Sequence, residues 1–134
     1  MRKTALLLIF ALLLTGCSFS VSTANITDAG MTTNMVEGTP VDTVTQYKGN
    51  ADAFYAYGIL NNAPDDTTIR FVWKYVTEPQ IIDEVSFNSE GQTDIYVYST
   101  LTMDGMWPVG DYSVEIYIDE RKDPESVVDF SIVE

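Results

Sequence analysis

The chain reads as an all-β protein, a two-layer sandwich of about seven antiparallel strands. Three observations predict it. Segments with a two-residue hydrophobic period recur from residue 53 to the end, and that period belongs to strands with one buried and one wet face. Short runs of Asn, Asp, Gly and Pro separate them, and these are the residues that make turns. After residue 17 no stretch repeats apolar residues at helical spacing.

The first segment is an address. Met1-Arg2-Lys3 supplies positive charge, and Thr4 to Leu14 is an apolar run. That is a signal-peptide pattern, too short for a membrane span of ~20 residues. The expectation is a helix over residues 4–14, apolar all round and detached from the sandwich. Leu14-Thr15-Gly16-Cys17 follows, with small residues before the single cysteine. This resembles the lipobox of prokaryotic lipoproteins. The resemblance implies cleavage before Cys17, a diacylglycerol on its sulfur and, in many bacteria, acylation of the new amino terminus. Two or three lipid chains anchor stably where one does not. The implied address is a cell membrane, facing outside the cytoplasm, and the outer membrane where the host has one. The organisation expected is a leader over 1–16, a lipidated Cys17 with a short tether over 17–24, and one domain over 25–134. The Ser-rich run Ser18 to Thr23 spans only about 20 Å when extended, which holds the domain close to the bilayer.

Ile26, Thr32, Thr33, Met35 and Val36 suit a first edge strand, ended by Glu37-Gly38-Thr39-Pro40. Val41 to Tyr47 alternates weakly and suits a return along the other sheet. The pattern then sharpens. Ala53 to Leu60 is rich in aromatics, as strands are. Asn61 to Asp66 is a loop. In Thr67 to Thr77, Ile69, Phe71, Trp73 and Tyr75 fall on one face and Arg70, Val72, Lys74 and Val76 on the other. Ile81 to Phe87 has mixed faces. Asn88 to Gln92 is a hairpin-type link. Asp94 to Leu101 sets Ile95, Val97, Ser99 and Leu101 against Tyr96, Tyr98 and Thr100. Tyr112, Val114, Ile116 and Ile118 alternate with Ser113, Glu115, Tyr117 and Asp119, and Val128, Phe130 and Ile132 point inward in the last strand.

Pro108-Val109-Gly110-Asp111-Tyr112 opens the penultimate strand with a turn and a tyrosine. It resembles the tyrosine corner of immunoglobulin-like and fibronectin-type domains. Trp73 stands where such sandwiches keep a core tryptophan in the third main strand. The likeness extends to prokaryotic lipoproteins with an Ig-like domain of uncharacterised function. It implies an Ig-like sandwich with Trp73, Gly110 and Tyr112 as structural residues, and it implies no ligand, because this fold hosts many functions. The immunoglobulin cysteine pair is absent.

Composition narrows the chemistry. Seven Lys+Arg against 20 Asp+Glu give a net charge of −13, which repels nucleic acid and anionic lipid head groups and favours cations and basic partners. There is no histidine, so Ser-His and Cys-His mechanisms are excluded, along with the commonest metal ligand. One cysteine permits no internal disulfide. The acid-rich turns Asp65-Asp66 and Asp119, Glu120, Asp123 and Glu125 carry oxygen ligands suited to a hard cation but lack EF-hand spacing. They read as solvated charge, and no metal is assigned. Trp107 is either a plug under the corner loop or an exposed aromatic for a ligand. The pairs Tyr55/Tyr57 and Tyr96/Tyr98 each alternate along one strand. If a pair faces water it can stack on sugar rings; otherwise it fills the core. The expectation is a membrane-anchored, non-catalytic interaction or accessory module with no cofactor beyond the lipid on Cys17. Its partner is a protein or glycan at the cell surface. The alternatives are a carbohydrate-binding module using its tyrosines and, third, a small exported enzyme working with paired carboxylates.

Overall fold

A computed structural model describes residues 23–134; the predicted leader helix, Cys17 and most of the tether lie outside the described residues. Ten strands follow in order: β1 (Asn25–Thr32), β2 (Met35–Val36), β3 (Thr39–Pro40), β4 (Gln46–Lys48), β5 (Ala53–Asn61), β6 (Thr68–Tyr75), β7 (Gln80–Asn88), β8 (Ile95–Thr102), β9 (Gly110–Ile118) and β10 (Ser126–Val133). They form a three-stranded sheet β1-β5-β8, a five-stranded sheet β4-β10-β9-β6-β7 and a small ribbon β2-β3. No helix occurs among the described residues. This is the expected all-β sandwich.

The alternation seen in the sequence sets the core. β6 sends in Ile69, Phe71 and Trp73, and β9 sends in Tyr112, Val114, Ile116 and Ile118. β10 adds Val128, Phe130 and Ile132, while β5 and β8 close the other side with Phe54, Ala56, Leu60, Val97 and Leu101. Burying each large side chain stabilises by roughly 1.5–3 kcal/mol, and in a chain with one cysteine that burial replaces disulfides. Ser99 is buried among them because the Trp73 indole N–H donates to its hydroxyl across the two sheets at 3.0 Å. The pair satisfies both polar groups in the interior.

The corner is built as its sequence implied. The Tyr112 hydroxyl donates to the Pro108 carbonyl at 2.6 Å, and its ring stacks on Phe130 at 5.1 Å and 18°. Gly110 has φ 148°, and a Cβ there would lie 2.6 Å from Thr77 Oγ1. Strand β9 therefore begins where only glycine fits.

Three expectations are corrected. The strand count is ten rather than about seven, because the segment before residue 50 is divided into short pieces. Residues 35 and 36 do not extend β1; Glu37 at φ 51° and Gly38 at φ 75° turn the chain into the β2-β3 ribbon. Of Val41 to Tyr47, only Gln46 and Tyr47 enter a strand, β4, and β4 runs parallel to β10, so the strands are not all antiparallel. Tyr47 explains the crossing. Its ring packs on Phe54 at 4.6 Å and Phe130 at 5.7 Å, and its hydroxyl donates to the Thr32 carbonyl at 2.6 Å. One side chain thus pins both sheets. The mixed faces of β7 also have a cause. The pairing with β6 shifts between Trp73 and Lys74, so Ile82 joins Phe87 against the core while Ile81 stays exposed.

Candidate functional site

The register of β5 on β8 sets Tyr57 opposite Tyr98, Ile59 opposite Tyr96 and Tyr55 opposite Thr100. Residues opposite one another in a ladder share a face. All four tyrosines therefore lie on the outer face of the three-stranded sheet, with Phe54, Ala56 and Leu60 on the inner one. The sequence left open whether one pair faces water; the ladder puts both pairs on one surface.

They are not equally available. Tyr98 is 43% exposed and Tyr57 only 6%, with Tyr55 and Tyr96 half-buried between them. Tyr57 meets Tyr96 edge to face at 5.9 Å. It is covered because it lies across Gly30 of β1, where a Cβ would come within 2.7 Å of its hydroxyl. Its hydroxyl shares a hydrogen bond with Thr43 Oγ1 at 2.7 Å. Tyr57 is thus the buried foundation of the face, and Tyr55, Tyr96 and Tyr98 are its open part. Neither Gly30 nor Thr43 stands out in the sequence as part of a site, because only the folded approach of β1 and the following loop brings them over Tyr57.

That loop is held by a carboxylate. Asp42 accepts from Thr32 Oγ1 at 2.6 Å, from the Thr33 amide at 2.8 Å and from Thr33 Oγ1 at 2.7 Å. These bonds, led by the one from Thr32, hold its carboxyl below the usual carboxylate range. The clamp keeps Thr43 in place over Tyr57.

The outer face of the five-stranded sheet is different in kind. Arg70 pairs with Glu84 at 2.7 Å and Lys74 with Glu115 at 2.8 Å. Tyr117 donates to Glu115 at 2.8 Å, and the Arg70 guanidinium sits 4.3 Å from the centre of the Tyr117 ring. Burial pushes the Glu115 carboxyl up, but the bonds from Lys74 and Tyr117 outweigh it and hold the group below its ordinary value. Lys74 and Tyr117 are both raised, chiefly by the same bonds to Glu115. The polar groups of this network answer one another, whereas the tyrosine face presents ring surface and hydroxyls to solvent.

Trp107 does not reach solvent. It is 4% exposed, its ring packs on Phe54 at 4.4 Å, and its indole N–H donates to the Ala51 carbonyl at 3.2 Å. The reading of Trp107 as an exposed ligand contact is corrected: it plugs the end of the sandwich. The acid-rich turns brace the fold. Asp119 accepts from the Thr68 amide at 2.9 Å, Glu125 pairs with Arg121 at 2.6 Å, and the Asp65 carbonyl accepts from the Gly91 amide at 3.1 Å. Among the described residues no group of three or more Asp, Glu or Cys is placed to hold a metal ion.

No protein-family model matches this sequence, and no curated protein matches it either. Among solved structures, the chain is similar to the Pseudomonas fluorescens alkylpurine DNA glycosylase AlkC bound to DNA containing an abasic site analog, with a TM-score of 0.49 and 11% identity. The likeness covers 83% of this chain and only 30% of that one.

Proposed function

We propose that the chain is a lipid-anchored, non-catalytic binding module that works on the outer side of a membrane. Its binding surface is the outer face of the three-stranded sheet. The observation that carries this reading is the distribution of aromatics. The interior is filled by Trp73, Phe54, Phe71 and their neighbours, and four of the eight tyrosines, Tyr55, Tyr57, Tyr96 and Tyr98, gather on one outward surface. An amphipathic ring is a common contact residue for partners because it offers area and a hydroxyl together. The leader and Leu14-Thr15-Gly16-Cys17 supply the anchoring half of the proposal.

Cell fractionation tests the anchor. The native protein is expected with the membranes and Cys17→Ala in the soluble fraction; a Cys17→Ala form that still sediments with membranes would overturn lipid anchoring. A second reading is favoured by the same face. Tyr55, Tyr96 and Tyr98 form a platform on which sugar rings can stack. A glycan array should then give signals that Tyr98→Ala loses, and an array with no signal removes this reading.

A further inference from the structure

The sandwich has four sheet edges, and three of them are closed or guarded. β1 is capped by Arg121, which donates to the Ala24 carbonyl at 2.8 Å, by Ser126, which donates to the Ile26 carbonyl at 3.3 Å, and by the bridge from Met31 to Val44. β4 is three residues long. β7 carries Asp83 and Glu84 in mid-strand, the usual guard against unwanted pairing. The fourth edge belongs to β8. It pairs with β5 on one side and, among the described residues, carries no strand on the other. Its eight residues, Ile-Tyr-Val-Tyr-Ser-Thr-Leu-Thr, contain no charge, no Pro and no Gly in a chain of net charge −13.

Two further features adjoin this edge. A cleft of about 270 Å³ opens between the end of β7 and the start of β8, lined by Phe87, Ser89, Glu90, Ile95 and Val97 among others. Ser89 is 6% exposed, and its buried hydroxyl has no hydrogen-bond partner among the described residues, a rare condition for a buried polar group. Acids frame the strand: Asp94 precedes it, Asp104 follows it, and Glu90 lines the cleft.

We propose that the free edge of β8 is a strand-addition site for an extended segment of a partner protein. That segment has basic residues flanking a short uncharged stretch, and one of its apolar side chains enters the cleft beside Phe87. Backbone hydrogen bonds along the edge supply affinity, the cleft selects a side chain, and the acids at both ends select the flanking charge. A second copy of this chain is the poorer occupant, because it brings the same negative charge to the junction. The inference rests on the binding-module reading and names the partner's chemistry.

Hydrogen exchange on the full chain tests it, with a capped Lys-Lys-Thr-Val-Thr-Val-Thr-Lys-Lys peptide as the probe and a Glu-flanked version as the control. At ten times its dissociation constant the Lys-flanked peptide should slow exchange across residues 95–102 by about tenfold. Thr100→Lys, at an exposed position of β8, should weaken it by about tenfold without changing thermal unfolding. Equal protection by the Glu-flanked peptide, protection centred on β7, or indifference to Thr100→Lys would each overturn the proposal. So would β8 protection that grows with protein concentration alone, since a second copy would then hold the edge. If the peptide fails while Tyr98→Ala still abolishes a glycan signal, the edge proposal falls and the binding module stands.

Discussion

Removing one oxygen from the corner isolates a single interaction. Tyr112→Phe keeps the ring on Phe130 and beside Tyr75, 4.8 Å away, and deletes only the hydroxyl that donates to the Pro108 carbonyl at 2.6 Å. A neutral hydrogen bond contributes about 0.5–1.5 kcal/mol net, and Pro108 is exposed enough for water to take over its carbonyl, so the expected cost is about 1 kcal/mol. For a domain of this size that lowers the Tm by about 5 °C. The cost should also depend on pH. Burial, with Tyr75 as a lesser cause, pushes the Tyr112 hydroxyl up to about 12 from its ordinary 10.0. A group whose folded pKa is raised gives stability that is complete below the unfolded value and is lost as pH rises toward the folded one. Between pH 10 and 12 the unfolded tyrosine gives up its proton and the folded one keeps it, so the contribution of Tyr112 to stability falls by at most about 1.4 kcal/mol per pH unit, less where solvent screens the hydroxyl. Phenylalanine does not titrate. The gap between the two proteins should be about 1 kcal/mol at pH 7 and should close near pH 11. Urea unfolding of both proteins from pH 7 to 11, read by tryptophan fluorescence, measures it. Equal stability at pH 7 would refute the corner bond, and a gap that ignores pH would refute the burial of the hydroxyl.

Trp107→Ala should cost about 3–5 kcal/mol of stability by opening a cavity over Phe54; a fully stable Trp107→Ala protein by thermal melting would contradict the plug. Gly58→Ala should destabilise by about 1–3 kcal/mol, because its Cβ would lie 2.5 Å from Ile26 Cγ2 and force β1 off β5; an unchanged denaturation midpoint would show that β1 yields freely. Asp42→Asn should loosen the loop over Tyr57. Since the Asp42 carboxyl is held below its ordinary 3.8, its contribution is present above that pH and disappears as pH falls through the folded value. The variant should therefore lag the native protein at pH 6 and approach it as pH falls below 3.8 in acid titrations of exchange at Thr43; a difference that persists at the acid end would count against the clamp.

The long strands from β5 onward, β7 apart, were legible because each has a buried and a wetter face, and alternation records that directly; β7 has mixed faces because its pairing with β6 shifts. Pro108 to Tyr112 was legible for a similar reason: a turn, a glycine and a tyrosine are local features with a local hydrogen bond. Residues 33–50 were not. Their structure comes from Tyr47 reaching across both sheets and from Asp42 closing a loop on Thr32 and Thr33, and neither leaves a period in the sequence.

Trp107 shows the limit for single residues. Its type suits a plug or a ligand contact equally well, and only the position of Phe54 decides between them. The tyrosines show the limit for a site. Alternation puts Tyr55 with Tyr57 and Tyr96 with Tyr98, but it cannot relate the two pairs. A shift of one residue between β5 and β8 would send them to opposite faces. By itself the sequence determined the fold class, the inward residues of the long strands and the corner, since these follow from local periodicity and turn chemistry. The tertiary structure alone decided that the tyrosines meet on one face, that Gly30 and Thr43 cover one of them, and that β8 keeps an edge left open by the described residues. Those facts depend on register and on contacts between segments far apart in the chain.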